Sequence, residues 1–307
     1  MTSPISRTPA RGSPGDPGSE TTSSEKAPPA PVKPPEVEEL VDEYLHRPIA
    51  RRLVDLLVHT PLTPNQITLI AALVGVAAGI MIPFGVGRPP VLLAGGLLLF
   101  AAVVLDCCDG QLARRKGISS TYGAILDGIG DYAVGLAMGI GGSLYAVGLT
   151  GNRWYWLLGL AGIVSSAVQS ALFDHTKTRY IARVSGGYAE REEDLDRVEQ
   201  DRVRAWSERR YRDALLLWVY LSYSRAQHAA MTIGPAEDPV AYRSANAGRM
   251  RAWTFMGIGT HFAFAYLTVI VGYWWPPGPI LYFAGTATLF NLALAMLVAL
   301  EPRQVRA

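Results

Sequence analysis

Residues 106–131 read DCCDGQLARRKGISSTYGAILDGIGD. Asp106 and Asp109 stand three positions apart, and Asp127 and Asp131 four apart, so each pair shares one face of a helix. LLAGGLLLFAAVVL leads into the first pair and YAVGLAMGIGGSLYAVGL follows the second. An ionised aspartate at membrane depth costs roughly 2.5–3.5 kcal/mol, so four of them on two successive helices need a compensating positive charge. Hard divalent cations take carboxylate oxygens, and one or two such ions held by Asp106, Asp109, Asp127 and Asp131 are the expectation. The bland reading, acids capping helices in a solvated loop, fits the first pair weakly. It fits the second pair worse, because Asp127 and Asp131 lie inside an apolar run.

Working outward, the composition is that of a membrane protein: 307 residues, half of them apolar. A net charge of +2 gives a nucleic-acid partner no electrostatic support. The two cysteines, Cys107 and Cys108, are adjacent and point about 100° apart on a helix. They offer neither a zinc site nor a disulfide framework and read as small core residues. No secretory signal is expected, because the first apolar stretch comes only after residue 60.

Residues 1–35 are rich in Pro, Ser and Gly and cannot bury enough surface to offset their ordering entropy, so a disordered tail is expected. From 36 to 60 the pattern is helical. Ile49, Leu53, Leu56 and Leu57 form one stripe while Arg51, Arg52 and Asp55 face away. A basic amphipathic helix just before a span predicts an interfacial location. Thr63 followed by Pro64 predicts a sharp N-cap for the first span.

Six apolar runs reach the length of about 20 residues that a bilayer requires, near 66–86, 91–112, 121–148, 154–173, 252–275 and 279–300. The fold expected is therefore an all-α membrane protein, with six transmembrane helices behind an N-terminal interfacial helix. The third run is rich in glycine, which lets helices approach closely, and Trp154, Trp156, Trp253, Trp274 and Trp275 fall near span ends as an aromatic belt does. Of 28 Lys and Arg residues, only Arg88 and Arg153 fall in the loops assigned to the far side. The positive-inside rule then predicts cytoplasmic termini and places the aspartates at the cytoplasmic ends of their helices. Between the fourth and fifth spans lies a highly charged segment of mixed sign at about 180–250, expected to be solvated helix. Within it, ALLLWVYLSY at 214–223 is too short to span and is read as an interfacial helix or the mouth of the fifth span.

Written out, the opening stretch is Asp106-x2-Asp109-Gly110-x2-Ala113-Arg114-x8-Gly123-x3-Asp127-x3-Asp131. It resembles the full signature of the CDP-alcohol phosphotransferase (CDP-alcohol phosphatidyltransferase) family. The lead-in HRPIARRL…TPLTPNQITL resembles members that use inositol-phosphate-type substrates. The resemblance implies displacement of CMP from a CDP-linked lipid, such as CDP-diacylglycerol, by a hydroxyl of a polar alcohol or alcohol phosphate. It implies Mg2+ or Mn2+, as two ions, with Asp131 as general base. It assigns Gly110, Arg114, Ser120 and Gly123 to the nucleotide, together with Asn65 and Thr68. Glycine lets a nucleotide approach the backbone, and Arg114 offers a bidentate fork for phosphate. FDHTKTRYIARV at 173–184 resembles the family's acceptor-phosphate stretch, which assigns Lys177 and Arg179 to the acceptor. The residues after the arginine depart from the usual Ala-Glu. Arg249 and Arg251 are further candidates for that anion site, weighed against a role as positive-inside anchors. Gly128 stands where choline and ethanolamine phosphotransferase relatives carry a histidine, which argues against that branch. A homodimer in the cell membrane, engaged in phospholipid synthesis, completes the implied picture. The competing class is a divalent-cation transporter with intramembrane carboxylates. Transporters spread such acids across the membrane and often carry inverted repeats, whereas here the acids gather at one face.

Overall fold

The computed structural model describes residues 34–118, 121–185, 188–229 and 236–300. The expected disordered tail, save its last two residues, and the proposed nucleotide residue Ser120 lie outside them. Among the described residues every regular element is helical. A 3-10 turn (Pro35–Val37) and a π turn (Asp42–His46) lead into α1 (Arg47–Leu57). Then come α2 (Pro64–Met81), α3 (Pro89–Lys116), α4 (Thr121–Thr150) and α5 (Tyr155–Ser185). The charged segment forms α6 (Tyr188–Ser207), α7 (Tyr211–Ala229) and α8 (Pro239–Trp253). The chain closes with α9 (Ile258–Val271), α10 (Gly278–Gly285) and α11 (Asn291–Ala299).

Five helices are long and apolar enough to cross a membrane: Pro64–Gly85, Pro89–Lys116, Ile125–Thr150, Tyr155–Val184 and Gly278–Ala299. A sixth crossing exists if Pro239–Met256 and Ile258–Val271, bent by 45° at Gly257, count as one. The six expected apolar runs are thus all helical, with one amendment. The fifth is two helices meeting at an angle, because Gly257 has an extended backbone and the N–H groups of α9's first turn must find a cap outside the helix.

That cap is Glu39, buried, which accepts from Thr260 N at 2.7 Å, Thr260 Oγ1 at 2.8 Å and Gly259 N at 3.3 Å. It belongs to an acidic strap that the sequence reading did not single out. Glu36 accepts from Arg243 on α8 at 2.6 and 2.9 Å and from the Tyr180 hydroxyl on α5 at 2.5 Å. Glu43 accepts from Arg251 at 2.8 Å. Buried His46 stands 2.7 Å from Asp42 and 3.2 Å from the Tyr266 hydroxyl on α9. Burial opposes the Glu36 charge, but the bonds from Arg243 and Tyr180 outweigh it and hold the carboxyl down to about 2. Glu39 goes the other way. Burial and the nearby Asp42 charge push it up to about 7.

Thr63 caps α2 as expected, and does so reciprocally. Its hydroxyl accepts from Gln66 N at 3.3 Å while Gln66 Oε1 accepts from Thr63 N at 2.9 Å. The stripe expected on the N-terminal helix divides between core and surface. Ala50 and Val54 are buried against Ile67, Val104, Cys108 and Leu112, with Ile49 and Leu57 at the margin, while Leu53 and Leu56 lie exposed. Small side chains let α1 sit close on α3, and Ala50's carbonyl lies 3.6 Å from Cys108 Sγ. Cys108 is buried in the core as expected, whereas Cys107 is half-buried with its sulfur close to Asp42 and His46; neither is in a disulfide.

α2 packs between α3 and α4 through glycine contacts. A Cβ on Gly141 would stand 2.0 Å from the carbonyl oxygen of Gly79, and one on Gly79 would meet Ala137. α3 ends at Gly117, whose φ of 65° is the left-handed C-terminal stop. Lys116 in its last turn donates to Thr60 O and Leu62 O, both at 2.8 Å. Within the charged segment, α6 and α7 form a hairpin whose core is Val198, Ala205, Ala214, Leu217 and Leu221 together with Ile125 of α4.

Candidate active site

α3 and α4 bring the acids together. One oxygen each from Asp106, Asp109 and Asp127 can lie within 4.8 Å of the others. Asp106 and Asp127 then line an open-sided cavity of about 330 Å³ with Asp131. The cavity's other walls are Thr68 and Ala71 on α2, Val103 on α3, Val134 on α4 and Phe262 on α9. Pairs at i, i+3 and i, i+4 put both carboxylates of each helix on one face. The close packing of α2, α3 and α4 turns those faces toward each other.

The donor set suits a hard cation. It is all carboxylate oxygen, and ligands on opposite sides of an ion with bonds of about 2–2.5 Å lie about 4–5 Å apart, which matches the observed separation. Without positive charge, these acids would repel one another in an apolar wall, which is the costly arrangement.

Thr68, expected at the nucleotide, reaches the cluster. It is buried, and its hydroxyl donates to Asp109 Oδ2, with the Pro64 carbonyl 3.2 Å away as a second acceptor. The structure therefore gives Thr68 a bond that orients a candidate metal ligand. Asn65 is half-buried in the first turn of α2. Gly110 lies one residue past Asp109, and a Cβ there would meet only Arg114 Nη1 at 3.6 Å, so that side of α3 is open. Arg114 is exposed one turn on, and Gly123 is half-buried in the first turn of α4.

The acceptor candidates divide. Arg179 lines a second cavity, of about 370 Å³, with Thr176, Tyr242, Asn246 and Arg249. Lys177 rests its ammonium 5.5 Å from the Phe173 ring centre. Arg251 does not face that cavity, since it is tied to Glu43 and to the Glu38 carbonyl at 3.1 Å. Of the two α8 arginines weighed from the sequence, only Arg249 joins Arg179 in one cavity. Phe262 was missed because nothing in the pattern of an apolar span marks one aromatic as cavity-lining. Glu36, Glu39 and Glu43 did carry a signal, an acidic run just ahead of the amphipathic helix α1.

The family model described as CDP-alcohol phosphatidyltransferase matches residues 61–190. Residues 61–190 are a CDP-alcohol phosphatidyltransferase domain. The whole acidic signature lies within it. The chain is also similar to the "Bifunctional IPC transferase and DIPP synthase" of Rubrobacter xylanophilus, 39% identical over 97 residues. That match covers 29% of this chain and 21% of the relative, so the chain spans about a fifth of that relative's length. Divalent-metal dependence is general in the CDP-alcohol phosphatidyltransferase family, and the carboxylate cluster is a group that could bind such an ion.

Proposed function

We propose that the protein is a multi-pass membrane phosphotransferase. It moves the phosphoryl-alcohol group of a CDP-alcohol such as CDP-diacylglycerol to the hydroxyl of a polar acceptor and releases CMP. The observation that carries this is the convergence of Asp106, Asp109 and Asp127 from two apolar helices, with Asp131 on the same cavity. Phosphoryl transfer gains mainly from positioning and charge neutralisation. Mg2+ or Mn2+, as two ions held by Asp106, Asp109, Asp127 and Asp131, would supply that neutralisation at the diphosphate.

The chain's own residues do the rest. Asp131 takes the acceptor hydroxyl's proton as its oxygen attacks the β-phosphorus. The bond from that phosphorus to the bridging oxygen breaks, and CMP leaves with its negative charge. Thr68 holds Asp109 in register. Gly110, Arg114, Ser120 and Gly123, with Asn65, bind the cytidine nucleotide. Arg179 and Arg249 present two cations to an acceptor phosphate across one cavity, and Lys177 is assigned to the same acceptor on the motif alone. The inositol-phosphate-type lead-in and the similarity to the Rubrobacter protein support an inositol-phosphate-type substrate.

We take residues 61–303 as one catalytic domain, with the charged insertion at about 180–250 and an interfacial helix at 36–60. Exposed Leu53 and Leu56 support the interfacial assignment. The charge distribution supports a cell-membrane protein with cytoplasmic termini and active site, and membership of the family supports a homodimer.

The test is CMP release in detergent from CDP-diacylglycerol with Mg2+ and a panel of alcohol acceptors, followed by mass spectrometry of the lipid product. Asp131→Asn is expected to lower turnover by about 10²–10⁴-fold while leaving CDP-lipid binding intact. Asp109→Asn is expected to weaken metal and nucleotide binding as well. Silence with every acceptor, combined with metal flux in liposomes, would replace this reading with transport.

A further inference from the structure

The hairpin of α6 and α7 has two apolar sides, and only one is accounted for. Its inner side packs Val198 and Ala205 against Ala214, Leu217 and Leu221. On the adjoining face of α7, about 90° round the helix, Tyr211, Leu215 and Trp218 are exposed at i, i+4 and i+7, which is one continuous stripe. Trp206 of α6 is 62% exposed and stacks edge-to-face on Tyr211 with ring centres 5.3 Å apart. Trp206 thus joins the α7 stripe in one patch of two indoles, a phenol and a leucine. A hairpin meant only to be solvated would place charge at 215 and 218, as it does at exposed Asp196, Arg197 and Asp201.

The position of the hairpin says what covers the patch. Ile125, the first residue of the span Ile125–Thr150, is part of the hairpin's own core, so the hairpin is fastened to the end of a membrane-crossing helix. Trp and Tyr with a leucine between them are the composition of the membrane–water boundary. The turn between the two rings carries Arg209 and Arg210, both exposed. Arg210 bonds Glu208 at 3.0 Å and Asp213 at 3.1 Å. Arg209 has a left-handed φ of 61°.

We propose that the edge formed by Trp206, Tyr211, Leu215 and Trp218 docks into the headgroup region of the bilayer that the protein's own helices cross. The rings and Leu215 enter the acyl boundary, and Arg209 meets lipid phosphates. This surface is independent of the reaction assigned above.

The experiment places a cysteine at Leu215, and in a second chain at exposed Gln200, in the full-length protein. The variants are reconstituted in nanodiscs of phosphatidylcholine and phosphatidylglycerol carrying one or two chains per disc. The rate of modification by a charged maleimide is read against the unsubstituted chain. Leu215→Cys is expected to react at least about tenfold more slowly than Gln200→Cys, the factor that ~1.4 kcal/mol of docking gives. The same ratio is expected with one chain per disc or two. Trp218→Cys, at another exposed position, is expected to repeat the result and guards against a local disturbance at 215. Equal rates at 200 and 215 overturn the proposal. So does protection that appears only with two chains per disc, since the patch would then be covered by a second copy.

Discussion

Glu39 offers a prediction whose size follows from the structure. Its carboxylate is buried at the start of α9, receives three hydrogen bonds from Gly259 and Thr260, and lies close to Asp42. Burial first, and the Asp42 charge second, raise its titration point from 4.5 to about 7. A carboxyl with a raised folded value favours the folded state fully below the unfolded value. That contribution is lost as pH rises from 4.5 to about 7. At about 1.4 kcal/mol per factor of ten in proton affinity, the loss is about 3 kcal/mol. Glu39→Gln keeps an amide oxygen for the Thr260 donors and removes the charge. The detergent-solubilised variant and the parent should be unfolded side by side from pH 4.5 to 8.5, followed by tryptophan fluorescence. The stability of the variant minus that of the parent is expected to grow by about 3 kcal/mol between pH 4.5 and 7.5 and to level off above. Carboxylates remote from Glu39 titrate alike in both chains and cancel in the difference. A difference that is flat with pH would refute the reasoning, because Glu39 would then ionise as it does in water.

Four further outcomes follow from particular contacts. Thr68→Val removes the hydroxyl that orients Asp109, and losing a bond that orients a metal ligand costs about 10–100-fold in metal affinity; a Mg2+ titration of CMP release should shift by that much at unchanged saturating rate. Arg249→Gln is expected to raise the KM for a phosphorylated acceptor about tenfold or more, the scale of losing one charge-assisted bond, with the CDP-lipid KM unmoved in the same initial-rate assay. Gly141→Ala would drive a methyl into the Gly79 carbonyl; about 1–3 kcal/mol of overpacking strain should appear as lower thermal stability in detergent. Gly117→Ala meets no neighbour but forces a left-handed φ on a residue with a Cβ, costing about 1–2 kcal/mol in the same melt.

Much of this architecture is legible in the sequence. Hydrophobic length alone called for six apolar helices, because a bilayer leaves the backbone few ways to satisfy itself. The spacing of Asp106, Asp109, Asp127 and Asp131 marked the acidic site, because helical periodicity puts such pairs on one face whatever surrounds them. The Thr63 cap was readable for the same local reason. Tertiary structure decided what depends on residues far apart in sequence. Thr68 meets Asp109 across 41 positions, and Glu36 meets Arg243 across 207, which no local pattern encodes. The choice of Ala50 and Val54 over Leu53 and Leu56 as the packed face of α1 was settled by how closely α3 lies against it. The same holds for Arg249 facing Arg179 while Arg251 turns to Glu43. Periodicity determines which side chains share a face, and only the packing of one helix against another determines what that face meets.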